Sequence, residues 1–276
     1  MVRVNLLETN QSLFLSGARR EENCTIAVPL EDSTTSTYRA QGIPVDWPAL
    51  IGYNRHLTDF DLKVPAGARL ATIVINKNIL CEQLVRRGKC QRTLQRWKTT
   101  NQLELLSEKQ GTLLNQLNKQ IQRRAQGWDP EEADLLIETV IQCFEEPQAR
   151  TRLIAKREAR HEAAIELLHW CTQNPMKILT VEELSFEIFQ SRTSLFKGSR
   201  EHFERTPLEL QRSIRLDRVR QLLLSPTLRA SQGLTGVGDS AESMGFTSRS
   251  HFARRYKEQY GEHPVDTLNN RLQVEN

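Results

Sequence analysis

The stretch GFTSRSHFARRYKEQYGEHP, residues 245–264, places Arg249, Arg254, Arg255 and Lys257 on a segment that also carries Phe252, Tyr256 and Tyr260. Ser248 stands where a side-chain oxygen caps a helix, and Gly245 stands where a sharp turn asks for positive φ. At 100° per residue the three aromatic residues fall within an arc of about 80°, a face to be buried. Ser250, His251, Arg254, Arg255 and Lys257 lie on the other side, with Arg249 in the first turn. This is the division that reading a DNA groove requires. An α-helix fits the major groove, the residues near its start reach base edges, Arg bonds guanine bidentately, and flanking Lys or Arg neutralise phosphates.

A fainter copy lies upstream. At an offset of 57 residues, SRTSLFKGSREHFERTP (191–207) aligns with SRSHFARRYKEQYGEHP (248–264). The copies share Ser-Arg at the start, Leu195 against Phe252, Lys197 against Arg254, Arg200 against Lys257, Glu201 against Glu258, Phe203 against Tyr260 and Pro207 against Pro264. Each follows a shorter amphipathic segment, TVEELSFEIFQ or VGDSAESMGFT, which predicts helix, tight turn and second helix twice over. The two motifs are joined by PLELQRSIRLDRVRQLLL, a single helix from Pro207 to Leu224 about 27 Å long at 1.5 Å per residue. Successive major-groove segments lie roughly 34 Å apart, so one rigid connector can present both second helices to one side of a duplex.

Residues 176–266 resemble the AraC/XylS-type DNA-binding domain of bacterial transcription regulators. The resemblance rests on LTVEELS (179–185), SRTSLFK (191–197), IRLDRVRQLLL (214–224), GFTSRSHFARRYK (245–257) and GEHP (261–264). It implies that Arg192, Thr193, Ser194 and Lys197 in the first arm, and Arg249, Ser250, His251 and Arg254 in the second, face bases or nearby backbone of double-stranded DNA. Arg255 and Lys257 are then phosphate contacts. It further implies an activator in the bacterial cytoplasm, with a β-rich amino-terminal domain for sensing or dimerisation, and it admits RNA polymerase, a homodimer partner and a small-molecule effector as further partners. The chain departs from the family's pattern at five places. Phe189 replaces the Gly of the first turn, Ser199 and Glu204 replace an aromatic residue and a Gly, Ser240 replaces an Ile, and Thr267 replaces a Tyr. Each is expected to remove apolar contact, and the first arm is expected to depart further in pose.

The remainder of the 276 residues supplies a second domain. Between about residues 12 and 80, β-type runs (SLFL, CTIAVPL, ATIVI) alternate with turn-rich pieces (EDSTTSTYRAQGIP, VPAGAR), which predicts a small antiparallel β domain. After Leu80 the texture becomes helical. Leu103, Leu106, Leu113, Leu117 and Ile121 recur as on one helix face, a stripe that fits a dimer seam and packing on the β domain equally. A further helix is predicted after Trp128-Asp129-Pro130, with Asp129 as its cap. Residues 85–125 carry Arg86, Arg87, Lys89, Arg92, Arg96, Lys98, Lys109, Lys119, Arg123 and Arg124, which reads as a solvated basic face, with a DNA-backbone or partner surface as the alternative. The fold class is therefore α+β, with a β-rich regulatory domain and helical connection over 1–160 and an all-α double helix-turn-helix domain over 161–276.

Composition is compatible with this reading. The net charge of +4 is mild and neither demands nor excludes an acidic partner. Cys24, Cys81, Cys90, Cys143 and Cys171 form no C-x-x-C pair, which suits a reducing compartment, and no apolar run approaches membrane-spanning length. A fused reactive-cysteine DNA-repair enzyme would need a nucleophilic thiol, whereas Cys24 and Cys81 read as small buried hydrophobes. His161, His169 and Cys171 do not share one helix face, so no metal or cofactor is expected and the chain is read as a non-enzyme. A nonspecific architectural DNA binder is a rival, opposed by base-reading residue types at both helix starts. A binding protein with a remnant carboxy-terminal part is another.

Overall fold

Alternating apolar and polar residues already make Val2–Glu8 a strand in the computed structural model, so the β domain begins ten residues earlier than the turn signals suggest. The structure describes residues 2–30, 38–88, 91–123, 129–153 and 158–270. Lys89, Cys90, Arg124 and Trp128 lie outside these, as does residues 31–37 of the first turn-rich piece. The chain divides into two units, Met1–Arg157 and Glu158–Asn276.

In the first unit, strands β1 (Val2–Glu8), β2 (Leu13–Ala18), β3 (Asn23–Pro29), β4 (Arg39–Ala40), β5 (Ile43–Pro44), β6 (Ala49–Ile51), β7 (Asp59–Val64) and β8 (Arg69–Asn76) precede helices α1 (Lys77–Arg87) and α2 (Gln91–Thr99). Strand β9 (Thr100–Glu104), α3 (Ser107–Gln122), α4 (Pro130–Glu145) and β10 (Thr151–Leu153) complete it. Two antiparallel sheets result, one in the order β1-β8-β3-β6-β9-β10 and one in the order β2-β7-β4-β5. Strand β8 sits inside the larger sheet, paired with β1 from Val2↔Ile75 to Glu8↔Arg69 and with β3 from Asn23↔Asn76 to Pro29↔Leu70.

The period of two sorts β8 between two cores. Ala71, Ile73 and Ile75 join the core under the helices, while Leu70 joins Ala27, Ile51, Leu62 and Val64 between the sheets. Thr72 and Val74 line a cavity of about 490 Å³ between the same two sheets, with Leu7, Leu15, Phe60 and Arg19 among its other walls. On the helical side Phe144 meets Tyr53 and Trp97 edge-on, at ring separations of 4.7 and 5.8 Å.

Several expectations change here. Leu103 belongs to β9, fully buried beside Leu50 of β6, because a strand partner distant in sequence outweighs the local helical spacing. The turn-rich piece also contributes two short strands, β4 and β5. Leu113 and Leu117 of α3 are fully buried in this unit's own core, so that stripe packs internally. Helix α4 starts as read, with Asp129 accepting from the Glu131 amide and Pro130 in the first turn. The basic run closes largely onto α4: Arg87 pairs with Glu138, Lys119 and Arg123 with Glu132, and Arg96 donates to the carbonyls of Phe144 and Ala149. Cys81 is exposed, not buried, because it lies on the outer face of α1. Among the described residues no helix is long and apolar enough to cross a membrane.

The second unit is all helix: α5 (Ala159–Gln173), α6 (Val181–Glu187), α7 (Arg192–Phe203), α8 (Pro207–Leu224), α9 (Pro226–Ser231), α10 (Val237–Ser243), α11 (Arg249–Tyr260) and α12 (Pro264–Asn270). Leu167, Trp170, Val181, Leu184, Leu195 and Leu210 form one core, and Leu216, Val219, Leu223, Ala241, Phe252 and Tyr256 form another. Helix α8 supplies residues to both, and each fully buried Leu contributes about 1.5–3 kcal/mol relative to an exposed one. Its start is fixed by a capping box, in which Thr206 Oγ1 accepts from the Glu209 amide and Glu209 accepts from the Thr206 amide.

Candidate nucleic-acid interface

Both recognition segments form as helix, turn and helix: α6 leads into α7, and α10 into α11. Serine caps each second helix. Ser191 Oγ accepts from the Ser194 amide at 3.1 Å, and Ser248 Oγ from the His251 amide at 3.4 Å. The two turns solve the same geometric problem with different residues. Gly245 takes φ +76 in the second, whereas Phe189, 90% exposed, takes φ +53 in the first. A left-handed backbone costs a side chain such as phenylalanine about 1–2 kcal/mol, so the first turn is strained where the second is not.

The outer faces carry the residues singled out above. Arg192, Thr193 and Lys197 on α7 and Arg249, Ser250, His251, Arg254, Arg255 and Lys257 on α11 are exposed, and Ser194 is half-buried by its cap. Phe252 and Tyr256 are buried and Tyr260 is half-buried, their rings in series and tilted to one another at separations of 5.7 and 4.6 Å. The Tyr260 hydroxyl donates to Asp217 of α8, which ties α11 to the connector, and burial pushes that hydroxyl's pKa up.

Some of the basic groups are held by carboxylates that the sequence reading overlooked. Arg192 meets Glu182 at 2.8 Å, and the guanidinium holds that carboxyl below its usual range through their hydrogen bond. Arg255 meets Glu258 at 2.9 Å and Arg254 approaches the same carboxylate at 3.8 Å. Exposed pairs of this kind are worth about 0–1 kcal/mol, little enough for a phosphate to displace them.

The departures are accommodated locally. Ser199, fully buried, donates to the Arg205 carbonyl at 2.7 Å, and Ser240, also fully buried, donates to the Gly236 carbonyl at 2.8 Å. Thr267 accepts from Tyr256 Oη at 2.9 Å and donates to Glu262 at 2.6 Å. Hydrogen bonds thus replace the apolar contacts these positions forgo, while Glu204 occupies the left-handed cap of α7 at φ +58. Two further features escaped the sequence reading. Gly198 lets α7 close onto α5, and His161 of α5 meets His202 of α7, Nδ1 to Nε2 at 3.0 Å with both rings buried. Among the described residues no group of three or more His, Cys, Asp or Glu is placed to hold a metal ion.

Residues 184–270 match a family model described as a helix-turn-helix domain. The chain carries an AraC-type helix-turn-helix domain. Its sequence is similar to the XylDLEGF operon transcriptional activator 2 of Pseudomonas putida, 28% identical over 102 residues that cover 37% of this chain and 62% of that protein. It is similar also to the HTH-type transcriptional regulator ArgR of Pseudomonas aeruginosa, 26% identical over 136 residues covering 49% of this chain and 39% of that one. The chain therefore spans less than two thirds of the length of these relatives. Among solved structures, a probable AraC family transcriptional regulator from Rhodopseudomonas palustris is 27% identical, covering 40% of this chain and 97% of that one with a TM-score of 0.35. The matched AraC-type region encloses α7, α8 and α11, the three helices on which the ten candidate residues and their connector lie.

Proposed function

We propose that the chain is a sequence-specific transcription regulator of the bacterial cytoplasm that reads two adjacent major-groove segments of double-stranded DNA with α7 and α11. The observation that carries this is the pairing itself: two serine-capped helices with exposed basic and hydroxyl side chains on their first turns, joined by one unbroken helix, α8. Arg192, Thr193, Ser194 and Lys197 read in the first segment, Arg249, Ser250, His251 and Arg254 in the second, and Arg255 and Lys257 hold phosphates. An activator is favoured by the similarity to an operon activator, and RNA polymerase is the partner that role calls for. The β-rich part is a unit of its own, Met1–Arg157, and we assign it the regulatory role. There the cavity between the sheets offers room for a small-molecule effector. A homodimer is the assembly such regulation would use.

A reactive-cysteine enzyme is disfavoured at three of the five cysteines, Cys81 being exposed and Cys90 lying outside the described residues. Burial pushes Cys24, Cys143 and Cys171 up to about 12, the opposite of what a nucleophile needs. Selection of genomic fragments on the full chain, followed by footprinting of the enriched fragments, tests the proposal. Recovery of one motif with two protected segments a helical turn apart is expected, and recovery of fragments without sequence preference would overturn it.

A further inference from the structure

The carboxy-terminal unit contains a buried cation without a matching anion. Arg215, midway along α8, is 9% exposed. Its guanidinium lies 5.0 Å over the Phe246 ring, Nη1 reaches the Met244 carbonyl only at 3.4 Å, and Nε has no hydrogen-bond partner. Among the described residues no carboxylate is paired with it, and the neighbouring charge that acts on it is that of another arginine, Arg212; burial first, and then Arg212, push its pKa down. An ion removed from water needs an opposite charge to offset its lost hydration.

Arg215 opens onto a recess of about 340 Å³ whose walls include Arg212, Arg254, Arg255, Ser248 and His251 and contain no acidic side chain. One side of the recess is the start of α11, where the helix presents the positive end of its dipole and its first amides, that of His251 being capped by Ser248. Arg212 also lines a neighbouring recess with Arg200 of α7 and Arg255 of α11, which sets it between the two motifs; Glu204, Glu209 and Glu258 line that second recess as well, so the wall whose charges are all basic belongs to the first. We propose that this recess seats one backbone phosphodiester of a DNA duplex lying across α7 and α11, with Arg212 and Arg215 of the connecting helix supplying the charge. The proposal rests on the DNA-binding reading and adds to it a contact made by the connector itself, independent of base sequence, that sets the register of both arms at once.

The test uses the full chain and a mixed-sequence duplex of about 30 base pairs, with affinity measured across a KCl series. Arg212→Gln and Arg215→Gln are each expected to reduce the slope of log affinity against log salt by about one and to weaken binding about three- to tenfold on any sequence. Arg215→Lys retains the charge and is expected to retain the slope, and Arg69→Gln in the other unit to change nothing. Thermal unfolding checks each variant; should Arg215→Gln fail to fold, Arg212→Gln, at a half-buried position, carries the test. Wild-type slopes in the Arg212 variant would overturn the phosphate seat while leaving the DNA-binding reading intact, whereas a wild-type chain that binds no duplex would overturn both. Binding of inorganic phosphate that is lost in Arg212→Gln, with an unchanged salt slope on DNA, would make the recess a receptor for a free anion and also overturn the proposal.

Discussion

The backbone of Gly198 on α7 lies so close to the carbonyl of Arg160 on α5 that a β-carbon built on the glycine would stand 1.9 Å from that oxygen. Ala164 Cβ would be 3.2 Å away on the same side. The opposing atom is backbone, which cannot rotate aside, so Gly198→Ala must push the first recognition helix off α5. A loss of about 2–3 kcal/mol is expected, toward the high end for overpacking a core by one carbon. Urea unfolding of the variant measures it, and a midpoint equal to the wild type's would refute the close approach.

Phe189 and Glu204 adopt left-handed backbone at φ +53 and +58 without being glycine. Phe189→Gly and Glu204→Gly should each stabilise the unit by roughly 0.5–1 kcal/mol, the relief of strain exceeding the greater freedom glycine gives the unfolded chain. Calorimetric midpoints that fall in both variants would contradict this.

Arg254 and Lys257 are both exposed on α11, the first midway along the helix and the second in its last turn. Arg254→Ala is expected to cost about 1–3 kcal/mol on the preferred site and to relax a single base position, while Lys257→Ala weakens binding equally on all sequences. Titrations on matched and scrambled sites separate the two. Equal losses everywhere for both variants would remove Arg254 from base reading.

Glu132 on α4 is held at about 2, below its ordinary 4.5, chiefly by its hydrogen bond with Lys119, then by Gln120 and by the charge of Arg123. The folded value is depressed, so its contribution to stability is present above about pH 4.5 and is lost as the pH falls toward 2. Glu132→Gln should therefore narrow the difference in unfolding midpoint between about pH 6 and about pH 3. An unchanged difference would show that these partners do not perturb the carboxyl.

The second helix-turn-helix was legible almost residue by residue, because its determinants are local: a capping serine, a turn glycine and aromatic residues at helical spacing. The same logic gave α4 from Asp129 and Pro130. What stayed hidden depends on partners remote in sequence. Leu103 has a helix-like spacing to Leu106 and Leu113, and only its pairing with β6 and β10 makes it strand. Gly198 carries no signal beyond being a glycine inside a helix, since its meaning lies in Arg160. Ser199, Ser240 and Thr267 read as lost apolar contacts, and their hydrogen bonds depend on groups whose positions only the fold defines. Arg215 has no local signal that sets it apart within the connecting helix, and its burial follows from the turn at Met244 and Phe246 folding over it.

Helix α8 runs unbroken from Pro207 to Leu224 and lends side chains to both small cores. One residue inserted between Leu210 and Leu216 would turn everything beyond it by about 100° and advance it about 1.5 Å. The second motif would then face away from any duplex held by the first. The separation of α7 and α11 is thus not a quantity that small insertions can tune. On the proposed function, divergence in target sites would come through the side chains at the tips of α7 and α11, with the spacing passed on unchanged.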